Sequence, residues 1–287
     1  MISWGDNNMK MILKKRAPFL LDMSINMYYG LKDFSDMLLQ RRDPLIPSTR
    51  LMFDGPRSIQ DFKKNGADFL EYFINLCNLK PDGKVLDVGC GIGRKTLPLT
   101  QYLDSNGEYE GFDIIDLGIN WCNKNITSKY PNFHFQKADV LNKYYNPNGK
   151  YKASEYKFPF EENYFDLVFL GSVFTHMLPN DLENYLSEVF RVLKSDGRCL
   201  ISYFLINKNS LTSIQSNISS INFQYDLEDY RTTDIDIPED AVSYKESYIR
   251  NLYQKHYLEI LEPINFGSWS GRDDYLDYQD LIIAKKP

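Results

Sequence analysis

Lys84-Val85-Leu86-Asp87-Val88-Gly89-Cys90-Gly91-Ile92-Gly93-Arg94 is the stretch that decides the fold. Val85, Leu86 and Val88 form a short apolar run of the kind buried on both faces of a parallel sheet. Three glycines then break the run, and a helical pattern follows from Ile92. A strand entering a glycine turn before a helix brings backbone N–H groups close to a ligand, because glycine tolerates positive φ and carries no Cβ. The turn is built to hold something small.

The neighbours of the turn sharpen this. Asp87 precedes the first glycine, and the next strand, Tyr109 to Asp113, ends in an acid placed to accept hydrogen bonds from ribose hydroxyls. The spacing Gly89-x-Gly91-x-Gly93 behind Asp87 resembles the first motif of the class I S-adenosylmethionine-dependent methyltransferases of the small-molecule, bacterial type. It differs from the dinucleotide pattern Gly-x-Gly-x-x-Gly. The resemblance runs from Val85 to Tyr203. It implies an α/β, Rossmann-like, seven-stranded methyltransferase sheet, mostly parallel with an antiparallel C-terminal strand, preceded by an N-terminal helical cap. The cofactor implied is S-adenosyl-L-methionine.

The remaining pattern agrees with that architecture. Strands are expected over 84–89, 108–113, 132–138 and 165–171, and helices over 92–104 and 116–128. Such alternation implies right-handed parallel crossovers with ligands at the carboxyl ends of the strands. A helix over 179–194, capped at Asn180 or Asp181, leads to a strand over 198–205. The polar segment 207–240 lacks helical periodicity and reads as an insertion. A final helix over 241–256 precedes two closing strands, near 258–266 and 280–284. Between the third and fourth strands, 142–163 reads as a long loop or hairpin at the same rim. Upstream, residues 1–16 are polar, and 18–42 carry apolar positions at helical spacing. The expected organisation is a helical cap over 1–80 and a methyltransferase domain over 81–287, with 207–240 as a lid over the acceptor.

Bulk properties narrow the function. With 43% hydrophobic and 25% charged residues the composition is that of an ordinary globular protein, and the net charge of −6 argues against a nucleic-acid partner. No apolar run is long enough to span a bilayer, and the first residues lack the layout of a signal peptide, so a cytoplasmic enzyme is expected. Cys77, Cys90, Cys122 and Cys199 show no C-x-x-C pairing, and His134, His176 and His256 are too few for a histidine-rich centre, so no metal site is expected. Oligomeric state is not legible.

Site residues follow from the resemblance. Asp87 and the backbone at Gly89, Cys90, Gly91 and Gly93 are expected to meet the cofactor, and Asp113 its ribose. Asp139 is expected at the adenine amine, with Ile114, Ala138 and Val140 against the ring. Gly171 and Ser172 are expected beside the methionine portion. The segment Ser172-Val173-Phe174-Thr175-His176-Met177-Leu178-Pro179 continues as in many small-molecule methyltransferases, and His176 is the candidate general base. For the acceptor, Tyr203, Tyr230, Arg231, Trp269 and Arg272 are candidates, and the acids Asp226, Glu228, Asp229, Asp234, Asp236, Glu239 and Asp240 suit either a lid or a solvated loop. The expected reaction is methyl transfer to a small polar acceptor, with oxygen on a saccharide or secondary metabolite preferred. N-methylation of an amine or protein side chain, and a cofactor-binding module without catalysis, are the alternatives.

Overall fold

The computed structural model describes residues 27, 29–31, 33–35, 43–143 and 145–287. The chain divides into two compact units, 1–64 and 65–287. Most of the expected helix over 18–42 and of the polar start lies outside the described residues; 27, 29–31 and 33–35 are helical. In the first unit, Asp33 accepts the backbone N–H of Thr49 (2.8 Å) and Arg57 Nε donates to the Met52 carbonyl (3.1 Å). A helix α1 (Ile59–Asn75) starts where Ser58 Oγ accepts the Asp61 N–H, a serine N-cap followed three residues later by an acid.

In the second unit, β1 (Lys84–Val88) is followed by α2 (Thr96–Tyr102), β2 (Glu108–Asp113), α3 (Asp116–Cys122) and β3 (Phe133–Lys137). Short strands β4 (Val140–Leu141) and β5 (Tyr151–Lys152) pair within the long rim loop. Then come β6 (Phe165–Leu170), α4 (Pro179–Val192), β7 (Leu193–Tyr203), β8 (Leu205–Ile206) and α5 (Lys208–Gln215). The chain ends with β9 (Tyr225–Asp226), β10 (Tyr230–Thr232), β11 (Val242–Lys245), α6 (Glu246–Lys255), β12 (Glu259–Ile260) and β13 (Asp280–Lys285).

Seven strands form one sheet in the order β12-β13-β7-β6-β1-β2-β3. The pairs β1·β2, β1·β6, β2·β3 and β6·β7 are parallel, and β13 runs antiparallel to both β7 and β12. The order reverses between β1 and β6, so the crevice a doubly wound sheet offers a ligand opens just past Gly89. β1 and β6 bury nearly all their residues, as a central parallel pair must. The core beneath joins Leu86, Val88, Val168 and Leu170 to Leu186, Val189 and Ile201.

Three expected elements differ. The segment 207–240 contains α5, whose Asn207 side chain caps the N–H groups of Asn209 and Ser210 while Ser210 answers the Asn207 N–H, a reciprocal capping box. Residues 242–245 are a strand and not the first turn of a helix, because they join β8 and β10 in a separate four-stranded sheet, β8-β11-β10-β9. Helix α4 is preceded by Leu178 at the cap position with Pro179 at N1, so neither Asn180 nor Asp181 caps it.

Candidate active site

At the end of β1 the backbone turns through positive φ at Gly89 (+79°), Gly91 (+56°) and Gly93 (+78°). Gly89 also has no room for a side chain: a Cβ there would lie 2.5 Å from Val173 Cγ2. The N–H groups of Gly89 and Cys90 both donate to the Phe112 carbonyl, at 2.8 and 3.1 Å, which sews the turn to the end of β2. Gly91 N–H donates to Asp113 Oδ2 (2.8 Å), and Ile115 N–H to Oδ1 (2.8 Å). Two backbone donors therefore fix the orientation of the rim carboxylate, which is only 9% exposed.

Neighbouring expected residues gather around this edge. Ala138 N–H donates to the Asp113 carbonyl (2.9 Å), bringing the end of β3 alongside. Asp139 is half-buried and accepts from Asn146 Nδ2 at 3.4 Å. Ile114 packs partly buried on the core, whereas Ala138 and Val140 are buried within it and form floor more than wall. Gly171 follows β6 directly. Ser172 has φ +65°, a strained value for a residue with a side chain, and its N–H donates to Ser202 Oγ (2.7 Å).

Asp87 is 2% exposed, and its Oδ2 accepts from Tyr109 OH (2.7 Å), which also pairs with Thr96 Oγ1 (2.8 Å). Cys90 is buried too, and burial with the charges of Asp113 and Asp87 raises its thiol pKa.

His176 lies at the same rim, in a single helical turn Phe174–His176. Asn142 Nδ2 donates to its carbonyl (3.1 Å), and the Tyr145 ring meets the imidazole edge-on, with 5.2 Å between centroids. Its Nδ1 lies 2.9 Å from the Glu239 carbonyl oxygen. Burial lowers the pKa of His176, against the opposing pull of the Glu239 backbone and the Asp240 charge.

The acceptor candidates are not brought together. Tyr203 is wholly buried, bonded to Tyr253 OH (3.0 Å) and packed on Phe174, which makes it core. Trp269 is also wholly buried; it packs on Phe204 and Phe223 and donates Nε1–H to Asp280 Oδ2 (2.8 Å). These two are corrected to structural residues, since neither offers a face to a ligand. Tyr230 and Arg231 belong to the small sheet, where Arg231 donates to the Phe223 carbonyl (2.8 Å) and pairs with Asp226 (3.3 Å). Arg272 stacks over Phe266, 4.5 Å from its centroid.

Sequence reasoning passed over several residues. Glu239 was seen only as one of an acidic run, yet it is 7% exposed, and Oε2 is buried without a hydrogen-bond partner among the described residues. Its charge raises the pKa of Asp181, which burial has already raised. Asp280, at the start of β13, accepts from the N–H groups of Leu205 and Gly267, at 2.6 Å each, besides Trp269. Burial pushes its carboxyl up to about 6. Alternation along the last strand marks neither role. Among the described residues no cluster of histidine, cysteine or acids suits a metal.

Glycine backbone, a fixed carboxylate ending the second strand and a further acid after the third make a set of acceptors suited to ribose hydroxyls and an adenine amine, without the anion cradle a pyrophosphate needs. The profile of a methyltransferase domain matches residues 79–262, and the chain belongs to that family, the class I S-adenosylmethionine-dependent methyltransferases. Among curated proteins it is 30% identical to sterol 24-C-methyltransferase erg6 of Schizosaccharomyces pombe, over 47% of this chain and 32% of that protein. It is 27% identical to phosphoethanolamine N-methyltransferase 1 of Arabidopsis thaliana, over 48% and 24%. The chain thus spans about a third or less of these relatives. Among solved structures, the PH0226 protein of Pyrococcus horikoshii OT3 aligns with a TM-score of 0.52 at 20% identity, covering 79% of this chain and 92% of that one. Magnesium protoporphyrin IX methyltransferase of Synechocystis PCC 6803 aligns with a TM-score of 0.51 at 14% identity, covering 91% and 99%. Both share the fold. No helix of the described residues is long and apolar enough to cross a membrane.

Proposed function

We propose that the protein transfers the methyl group of S-adenosylmethionine to an oxygen of a small polar acceptor of saccharide or secondary-metabolite type. The observation that carries the proposal is the 2.8 Å hydrogen bond from Gly91 N–H to Asp113, by which the glycine turn and the rim acid form one edge. Asp113 accepts from the ribose, Asp139 from the adenine amine, and Ile114 covers the ring above the floor made by Ala138 and Val140. The backbone of Gly89, Cys90, Gly91, Gly93, Gly171 and Ser172 lies along the rest of the donor. A cytoplasmic setting belongs to the proposal, supported by four buried cysteines that form no disulfide among the described residues.

When bound, the donor supplies a methyl group already activated by its sulfonium. What the chain contributes is alignment, which can supply about 7–11 kcal/mol of a barrier. His176 contributes proton transfer. A carbonyl can only accept, so the contact with Glu239 places the proton on Nδ1 and leaves the Nε2 lone pair to receive the hydroxyl proton. A base of this kind adds roughly 10²- to 10⁴-fold.

A nitrogen acceptor is the second reading, and the buried Glu239 Oε2 favours it. A carboxylate oxygen out of water without a partner is costly, and a cationic amine would offset that cost. One listing of assays separates these readings: calorimetry with S-adenosylhomocysteine for the cofactor, then turnover of hydroxyl and amine acceptors drawn from metabolite extracts. On the oxygen reading, His176→Ala loses about 10²- to 10⁴-fold in kcat with cofactor affinity retained, and Glu239→Gln changes little. On the nitrogen reading the order reverses. Failure to bind S-adenosylhomocysteine at millimolar concentration would overturn both, and binding without any transfer would mark a regulatory module.

A further inference from the structure

Arg272 lies in the loop between β12 and β13, where Asp273, Asp274 and Asp277 follow it closely, and among the described residues it pairs with none of them. Its side chain is half-buried, and the guanidinium lies over the Phe266 ring, 4.5 Å from the centroid. Nε is buried without a hydrogen-bond partner. Asp280, whose carboxylate feels the Arg272 charge, is already bonded to Leu205, Gly267 and Trp269. The ring beneath and the burial of Nε leave the Nη1–Nη2 edge as the one this cation can offer. An arginine held off water with no acceptor is costly, and an oxyanion at that edge would offset the cost.

The loop that carries Arg272 is fixed. Ser268 N–H donates to the Asp277 carbonyl (3.1 Å) and Trp269 N–H to the Tyr278 carbonyl (3.0 Å), which closes its base, while Ser220 N–H donates to the Trp269 carbonyl (2.8 Å). Gly271 turns at φ +80°, and a Cβ there would lie 2.4 Å from Ile218 Cγ2. The loop leaves the sheet at its carboxyl rim. Asp280, the first residue of β13, pairs with Tyr203, the last of β7, and Gln279 Oε1 accepts from Ser202 Oγ (2.6 Å) and Ser172 Oγ (2.9 Å). In the sheet order β13 lies on the far side of β6 from β1, β2 and β3, whose ends carry the residues assigned to the donor nucleoside. Two strand spacings, about 10 Å, separate β13 from β6.

We propose that Arg272 binds an oxyanion of the acceptor, a carboxylate or a phosphate, through an end-on bidentate pair at Nη1 and Nη2 while Phe266 backs the guanidinium plane. This rests on the transfer reading above and narrows its acceptor to an acidic saccharide or an acid-bearing metabolite. Phe266 and the Gly271 turn hold the fork in place before the ligand arrives, so little side-chain freedom is lost on binding.

The test has two arms, both on the full chain. In the first, the ¹⁵N arginine side-chain resonance of Arg272, identified by its absence from Arg272→Gln, is followed against inorganic phosphate, acetate and chloride at constant ionic strength. A saturable shift with phosphate or acetate that chloride does not reproduce is expected, and no saturation with either by about 50 mM would overturn the proposal. In the second, a metabolite extract is split on an anion-exchange resin and turnover is read as S-adenosylhomocysteine release. Acceptor activity should sit in the retained fraction, and alkaline phosphatase should abolish that retention for a phosphate monoester but not for a carboxylate. On that fraction Arg272→Gln should raise the apparent KM about 10- to 100-fold with kcat within about threefold, and Arg272→Lys should recover only part, because an ammonium cannot form the fork. Calorimetric S-adenosylhomocysteine affinity within about twofold of wild type reports an intact fold in both variants. Activity confined to the unretained fraction, or an unmoved KM in Arg272→Gln, would overturn the oxyanion assignment and leave methyl transfer standing. Release from neither fraction would overturn the transfer reading, and this one with it.

Discussion

Asp113→Asn replaces a carboxylate that takes one backbone N–H on each oxygen, from Gly91 and Ile115. The amide retains one acceptor, and its NH₂ must face the other N–H. A buried donor left against a donor costs about 1–3 kcal/mol, which in a domain of this size lowers Tm by roughly 2–10 °C. Binding suffers separately. Hydrogen bonds from ribose to a charged acceptor are worth about 1.5–3 kcal/mol, so the Kd for S-adenosylhomocysteine should rise roughly 10- to 150-fold. Thermal denaturation and calorimetry on the same samples check both numbers. Tyr203→Phe is the control: it breaks the buried pair with Tyr253 at a comparable stability cost without touching Asp113 or its partners, and should keep Kd within about twofold. Equal affinity in Asp113→Asn and Tyr203→Phe would refute the role of the rim carboxylate.

Three more outcomes follow from the geometry. Gly89→Ala should cost at least about 2 kcal/mol in urea denaturation, from its φ of +79° and its contact with Val173, and Val173→Ala in the same chain should recover part of it. With a carboxyl pKa of about 6 against an ordinary 3.8, native Asp280 binds more protons than the unfolded chain between those values, so stability falls as pH rises from about 4 through 6 and is level above. About 2 kcal/mol of that component falls between pH 4.5 and 7, and it should be missing from Asp280→Asn when denaturation curves at those two pH values are compared. If His176 is the base, the acid limb of kcat/KM should have its midpoint below the ordinary 6.5, since burial lowers the imidazole and activity needs its neutral form; a midpoint above 6.5 would exclude it.

The candidate site was legible where its signals are local. Gly89, Gly91 and Gly93 announce a turn because only glycine sits easily at positive φ, and Asp113 announces itself as the acid that ends the second strand. The capping box of Asn207 and Ser210 was equally local, but the polar surroundings of α5 masked it. Residues 242–245 misled for another reason: Val242-Ser243-Tyr244-Lys245 is too short to stand apart from the helical pattern that follows, and only pairing with a distant strand, here β8, marks it as a strand. Tyr203 and Trp269 carried the chemistry expected of a ligand platform, and only burial shows that their polar atoms are occupied by Tyr253 and Asp280.

By itself, the sequence determined the parallel sheet, the ligand-holding turn and the acids at the ends of two strands, because each depends on the conformational preferences of a few consecutive residues. Tertiary structure alone decided that Asp87 meets the Tyr109 hydroxyl, that His176 meets the Glu239 carbonyl, and that the Lys95 amine lies against Gly171. Those relations join residues far apart in the chain, and their energetics depend on exclusion of water, which no local pattern encodes.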